Sequence, residues 1–290
     1  MSRGVRVSIG SLLKMSYNIL KDNKIDSYII DSQLLLAYTL KKDRLYILLN
    51  IDKELNKEDE DRFFKLVDMR KNKMPIKYII KRCEFMGIDF YIKEGVLIPR
   101  PDTEILVETV LREILENKYE DVLDLCCGSG VIGLSIARFA KNVDVTLSDI
   151  SDRAIEVTGK NINRLKLNSV KVLKCNLLSG FVDNKEKFDV IVSNPPYIET
   201  IEIDSLMEDV KNYEPILALD GGEDGLTFYR RIIDDAVKVL NIGGLIAFEI
   251  GYNQKESVKE ELKKKCFVNI KAYKDLSGND RVVTAKFLGY

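Results

Sequence analysis

The run Ser193-Asn194-Pro195-Pro196-Tyr197 is where residue types and spacing first suggest chemistry. Two consecutive prolines fix φ and remove two N–H donors, so the loop is stiff and its carbonyls can point at something other than the chain's own backbone. The Asn194 side-chain oxygen and the Pro195 carbonyl then form paired acceptors matched to the two donors of a planar NH2 group. An amide nitrogen is a poor nucleophile, because its lone pair is delocalised into the carbonyl, and a site that reacts it must work mainly by positioning. Hydrogen bonds from both N–H groups strengthen as positive charge grows on nitrogen, which stabilises the transition state more than the ground state. Tyr197 offers a ring face that can stack on a flat amide and tolerates a nearby cation. The chain contains no histidine, which excludes Ser-His and Cys-His nucleophilic catalysis and suits a reaction that needs no strong base beforehand. Read without context, Asn194 to Tyr197 also describe a rigid turn with a surface tyrosine.

A second run, Asp124-Leu125-Cys126-Cys127-Gly128-Ser129-Gly130, ends a β-like stretch and opens a helical one near Val131. Glycines at such a place let the backbone approach a ligand closely, and a nucleotide-like cofactor is the natural occupant. With Gly133 the run also matches GxGxxG, a weak signal that admits a nicotinamide or flavin enzyme. Asp124 separates the two cases: an acid at the loop's mouth repels a pyrophosphate but suits the sulfonium and ammonium groups of S-adenosylmethionine. Asp149, ending Thr146-Leu147-Ser148-Asp149, is placed to accept hydrogen bonds from ribose hydroxyls, as an acid does with either cofactor. The plainer reading is a glycine-rich structural turn with a helix-capping acid.

These loops need elements to position them. Val122–Leu125, Val143–Leu147, Val170–Leu173, Phe188–Val192, Leu245–Ile250, Val268–Ala272 and Arg281–Phe287 are β-like runs, most of them separated by helix-length segments. That alternation predicts an α/β fold with a doubly wound sheet, whose ligands bind at the carboxyl ends of the strands. Ser277 to Asp280 is too short for a parallel crossover and predicts a closing hairpin at the sheet's edge. Residues 10–80 differ, placing apolar residues such as Leu12, Leu13, Ile19 and Leu20 at spacings that predict short amphipathic helices, with Asp31 a candidate cap. Met74-Pro75 stops that pattern, and Phe85 to Ile98 reads as a hairpin or linker. The expected division is therefore a helical domain over 1–84, a hairpin and linker over 85–98, and the sheet domain over 99–290.

Composition narrows the class. With 46% apolar and 31% charged residues, the chain has material for a core and for a hydrated surface. No stretch approaches the ~20 apolar residues of a membrane span, and no leader-like run opens the chain, so a cytoplasmic protein without a membrane partner is expected. Five cysteines lack metal-like spacing and read as small buried hydrophobes rather than a zinc site or disulfides; no metal is expected. A formal charge of −1 argues against a surface that grips many phosphates, so no stable nucleic-acid binding is expected. Lys53 to Asp61 reads as a solvated charged face, and Asp102 or Thr103 as the cap of a helix over Ile105 to Leu115.

Several runs together resemble the HemK-type family of protein glutamine methyltransferases, which modify the Gly-Gly-Gln glutamine of peptide chain release factors. They are Leu97-Ile98-Pro99-Arg100-Pro101-Asp102-Thr103-Glu104, Val192-Ser193-Asn194-Pro195-Pro196-Tyr197-Ile198, Tyr213-Glu214-Pro215 and Gly278-Asn279-Asp280-Arg281, and the similarity covers nearly the whole chain. Asn-Pro-Pro-Tyr alone is shared with adenine-N6 DNA methyltransferases and some RNA guanine methyltransferases, so the flanking runs carry the specificity. The resemblance implies a seven-strand Rossmann-like class I methyltransferase sheet with a small helical N-terminal domain that helps hold the release factor. It also implies that Cys126 to Gly130, with Cys127, Gly128 and Ser129 between them, line S-adenosylmethionine together with Asp149, leaving S-adenosylhomocysteine as product. Asn194, Pro195, Pro196 and Tyr197 would hold the target amide, Asn194 lying close to the methyl donor as well. Cys126 stands where the family usually has glycine, and Asn176 where an acid commonly meets the adenine amino group. The alternatives are methylation of an exocyclic amine on a nucleic-acid base, a nicotinamide oxidoreductase, and a binding protein that retains the sheet without catalysis.

Overall fold

A computed structural model describes residues 7–289; the first six residues of the 1–84 region, and Tyr290, lie outside the described residues. The chain divides into two compact units, one running to Arg82 and including Met207–Tyr213, the other formed by Cys83–Leu206 and Glu214–Tyr290.

In the smaller unit a two-residue bridge, β1 (Val7–Ser8) to β2 (Glu54–Leu55), closes a group of helices: α1 (Ile9–Asp22), α2 (Tyr28–Leu40), α3 (Arg44–Leu49), α4 (Lys57–Lys71) and α5 (Ile76–Ile80). Their apolar residues meet as the helical spacing requires, Leu12, Leu20, Leu35, Leu36 and Phe63 all being fully buried. Asp31 is not a cap. It lies within α2, 3% exposed, and pairs with the Arg70 guanidinium of α4 at 2.7 Å while accepting from the Ser27 hydroxyl at 2.7 Å. A buried charge requires such a partner, whereas a cap would be solvated. The charged run from Lys53 to Asp61 is mostly exposed, as expected of a solvated face, and it also starts a helix. Asn56 caps α4 by accepting from the Asp59 N–H at 2.8 Å, and Glu58, Asp59 and Glu60 fill the first turn, where the helix dipole favours acids.

The larger unit opens on a hairpin, β3 (Arg82–Phe85) and β4 (Ile88–Tyr91), whose two turn residues Met86 and Gly87 both have positive φ, as a two-residue turn of matching twist demands. The sheet strands are β5 (Asp121–Leu125), β6 (Asp144–Asp149), β7 (Lys171–Lys174), β8 (Phe188–Ser193), β9 (Leu240–Glu249), β10 (Phe267–Lys274) and β11 (Asp280–Phe287). They form one seven-stranded sheet in the order β10-β11-β9-β8-β5-β6-β7. It is parallel from β9 to β7, while β11 lies antiparallel between β9 and β10. The short link after β10 does form a hairpin, its turn organised by Asp275, which accepts from the Ser277 and Asn279 N–H groups.

Helices α6 (Glu104–Asn117), α7 (Val131–Phe139), α8 (Asp152–Leu165), α9 (Ser179–Asp183), α11 (Thr227–Val239) and α12 (Lys255–Lys263) belong to this unit, and α10 (Glu208–Tyr213) to the helical one. Alternate residues along a strand serve opposite faces of the sheet. Leu123, Ile191 and Phe248 join the core beside α11, while Val122, Val190 and Ala247 join the core beside α6 and α7. Two local expectations change. Strand β9 starts five residues before Leu245 and runs through Gly243-Gly244, with an irregularity between Phe188 and Val190 in its partner's register. Helix α6 follows a short 3-10 turn over Pro101–Thr103 and makes no side-chain cap; Glu104 instead accepts from the Met86 N–H at 2.7 Å. Among the cysteines, Cys266 is exposed, Cys126 and Cys175 half-buried, and Cys83 and Cys127 buried.

Candidate active site

Strand order decides where the two reactive runs go. From β5 the chain proceeds to β6 and β7 on one side, and β8 returns to pair with β5 on the other, so the order of strand addition reverses between β5 and β8 while both strands stay parallel. A crevice opens at such a switch point, outside the strands' carboxyl ends. Leu125 pairs with Ser193, and Cys126 and Asn194 therefore leave neighbouring strands side by side; the Ser193 hydroxyl donates to the Leu125 carbonyl at 2.8 Å and ties the two ends together.

A cleft of about 980 Å³, counting its open mouth, occupies this place. Of the residues singled out from sequence, Cys126, Gly128, Asp149, Asn176, Asn194 and Pro196 line it. The Asp149 carboxylate sits on the wall, accepting from the Gly128 N–H and the Ser151 N–H, each at 2.9 Å. Burial raises its pKa, opposed by these backbone donors. Among the described residues the Asn194 side chain makes no hydrogen bond, leaving its amide on the cleft wall with both oxygen and nitrogen available. The Asn176 oxygen accepts from the Arg231 guanidinium at 3.1 Å, so part of its acceptor capacity is already used.

The remaining residues stand behind the lining. Asp124, expected at the loop's mouth, is fully buried beneath it: one oxygen accepts from the Gly133 N–H at 2.8 Å and the other has no partner among the described residues. Burial pushes its pKa up to about 8. Gly133 is required by this packing, because a Cβ there would come within 2.9 Å of both the Asp124 carboxylate and Leu147. Cys127, Ser129 and Gly130 are buried, and Gly130, with a φ of 81°, starts α7. Cys126 takes a φ of 56°, a conformation costing about 1–2 kcal/mol for a residue with a Cβ and free of strain only for glycine. Pro195 is buried, and Tyr197 packs its ring against the core beside α11 with its hydroxyl donating to Glu249 at 3.4 Å.

Sequence reading missed part of the wall. Gly95, Val96 and Leu97 come from the segment after β4, and Phe228 and Arg231 from the first turns of α11. Leu97 and Pro215 belong to runs that resemble the family's, a usable signal; nothing in the sequence around Phe228 and Arg231 marked them. The structure also explains those runs. Glu214, 5% exposed, accepts from the Arg100 guanidinium at 2.6 Å and from the Ile98 N–H at 3.2 Å, fastening the segment before α6 to the one after α10.

The family model described as Methyltransferase small domain matches residues 101–212, and that described as PrmC N-terminal domain matches residues 11–80. A methyltransferase from Pyrococcus furiosus shares the fold, with a TM-score of 0.51 at 24% identity over 71% of this chain and 91% of that one. Sheet order and family match thus define a Rossmann-like methyltransferase with an additional helical unit. The chain is 52% identical over 276 residues to the release factor glutamine methyltransferase of Clostridium botulinum, covering 95% of this chain and 98% of the relative. It is 51% identical over 282 residues to that of Clostridium acetobutylicum, covering 96% and 98%. The chain belongs to the release factor glutamine methyltransferase family.

Proposed function

We propose that this chain transfers a methyl group from S-adenosylmethionine to the side-chain amide nitrogen of the glutamine in the Gly-Gly-Gln motif of peptide chain release factors, leaving S-adenosylhomocysteine. Identity with relatives named for that activity supports the reading. One geometric observation carries it: the Leu125–Ser193 pairing brings the glycine-rich loop and the Asn194 amide into one cleft.

The cleft's donor set fits the cofactor. The Asp149 carboxylate on the wall suits a ribose diol, and Ile150, Leu177 and Phe228 supply apolar surface for a flat base beside Asn176. Cys126 to Gly130 hold the remainder through the loop backbone, and Asp124 shapes that loop from beneath by gripping Gly133. When bound, S-adenosylmethionine supplies an electrophilic methyl group on a positively charged sulfur. Asn194 and the Pro195 carbonyl accept the two N–H groups of the target amide and aim its nitrogen, while Pro196 keeps the loop from relaxing. Charge growing on that nitrogen strengthens both hydrogen bonds, and the proton leaves afterwards to water or a backbone oxygen.

The helical unit holds the release factor in this reading. It carries a groove whose lining includes Lys41, Lys42, Arg44, Lys65 and Arg82 around Leu34 and Leu66. In this reading residues 1–84 serve recognition, 85–98 complete the hairpin begun at Arg82 and continue as a linker, and 99–290 carry the transfer, with a cytoplasmic location and no stable nucleic-acid partner. Among the described residues no helix is long and apolar enough to cross a membrane. The test incubates the protein with labelled methyl donor and a release factor carrying Gln or Ala in the Gly-Gly-Gln motif. Label is expected on the Gln form only, and equal labelling of both rejects the proposal.

A further inference from the structure

Behind the 194–197 loop lies a polar group that the transfer as described does not use. Glu249, the last residue of β9, is 1% exposed, and one of its carboxyl oxygens accepts from the Tyr197 hydroxyl at 3.4 Å. Its other oxygen has no hydrogen-bond partner among the described residues. Thr103, Asp102 and Arg281 face the same carboxyl. The Arg281 guanidinium is already committed, at 3.0 Å to Asp275, 3.5 Å to Asp102 and 3.4 Å to the Ile250 carbonyl. Burial pushes Glu249 toward its neutral form, opposed by hydrogen bonding from Thr103 and Tyr197 and by the Arg281 charge.

The other end of Tyr197 is held more tightly. Gln254, 8% exposed, donates from its side-chain nitrogen to the Tyr197 carbonyl at 2.9 Å and to the Gly225 carbonyl at 3.2 Å. Its oxygen accepts from the Gly251 N–H at 3.0 Å, which sets the amide's orientation. The Tyr197 backbone also rests on Gly221, where a Cβ would come within 2.7 Å of the Tyr197 Cα. The loop is therefore fastened at residue 197, while the Asn194 side chain three residues earlier makes no hydrogen bond among the described residues.

We infer that Glu249 and Gln254 are positioning residues, which clamp the hydroxyl and the carbonyl of Tyr197 so that the Asn194 and Pro195 acceptors are already aimed when substrate arrives. This rests on the proposed transfer reaction. Tyr197 acts through its anchored ends, and the two prolines pass that constraint along a loop too stiff to absorb it. A misplacement of about 1 Å in a site that works by positioning costs on the order of 10²-fold in rate, so loosening the clamp should act on turnover rather than on cofactor affinity.

The experiment compares Tyr197→Phe, Glu249→Leu, Glu249→Gln and the Tyr197→Phe/Glu249→Leu double variant with the unmodified protein, in the full chain. It measures kcat and KM with a release factor, S-adenosylhomocysteine affinity by calorimetry, and melting temperature. Tyr197→Phe and Glu249→Leu should each lower kcat by roughly 10- to 100-fold with affinity held within about twofold, and the double variant should be no worse than the poorer single one. Glu249→Gln, neutral and of the same shape, should recover most of the turnover lost in Glu249→Leu. Unchanged kcat in Tyr197→Phe, losses that multiply in the double variant, or affinity falling in step with kcat would overturn the assignment. Should Glu249→Leu not fold, Tyr197→Phe, which removes one oxygen, decides alone. Absence of methyl transfer by the unmodified protein would instead overturn the reaction on which the inference rests.

Discussion

Asn194 and Asp149 stand on one cleft wall with different tasks, and substitution separates them. Asn194→Ala removes an acceptor needed most in the transition state; a fall in kcat of roughly 10²-fold is expected, with S-adenosylhomocysteine affinity nearly unchanged in calorimetry. Asp149→Ala should show the reverse, weakened cofactor binding with turnover at saturating cofactor largely retained. Asp124 calls for a titration. Its pKa in the folded chain is raised to about 8 by burial, so folding favours the protonated acid, and that stabilisation is complete below the ordinary Asp range and lost as pH rises through about 8. Asp124→Asn keeps an acceptor for the Gly133 N–H without the ionisation. In ligand-free protein, the decline in melting temperature from about pH 5 to pH 9 should be shallower in this variant than in the parent.

At the scale of elements, the parallel register of β5 and β8 makes the site, and within the helical unit burial forms a second motif. Asp31 on α2 and Arg70 on α4 are paired with side chains only 4% and 11% exposed. Two buried charges gain little over a well-packed apolar pair, but removing one leaves the other without compensation. Asp31→Ala is expected to cost about 3–5 kcal/mol in urea unfolding of the helical unit, and Asp31→Ala/Arg70→Met less than the single change. A double variant as unstable as the single one would show that packing, not charge, holds α2 to α4.

Across the whole molecule, charge is divided unevenly. Residues 1–82 hold 18 Lys and Arg against 11 Asp and Glu, while residues 83–290 hold 27 against 35, so a total of −1 conceals an N-terminal region of net +7 and a remainder of −8. A basic recognition surface raises the encounter rate with an acidic partner and weakens with salt. Arg44→Glu/Lys65→Glu, both in the helical unit's groove, should raise KM for the release factor by about tenfold and flatten its salt dependence, leaving kcat at saturation unchanged. Equal KM values for variant and parent over a salt series would separate this groove from substrate recognition.

Much of the architecture could be read from the chain because its signals are local. Strand-length apolar runs and glycine-proline punctuation are properties of neighbouring residues, and the seven β-like stretches all became strands of one sheet. The stiffness of the 194–197 loop likewise follows from two proline rings alone. Long-range pairing decided the rest. Asp124 reads as a ligand-facing acid until β5 and α7 close over it, Asp31 as a cap until Arg70 arrives from 39 residues away, and Tyr197 as a stacking face until Glu249 and Gln254 take hold of it. Burial and partners fix what a polar side chain does, and both depend on segments distant in sequence, which only the folded chain brings together.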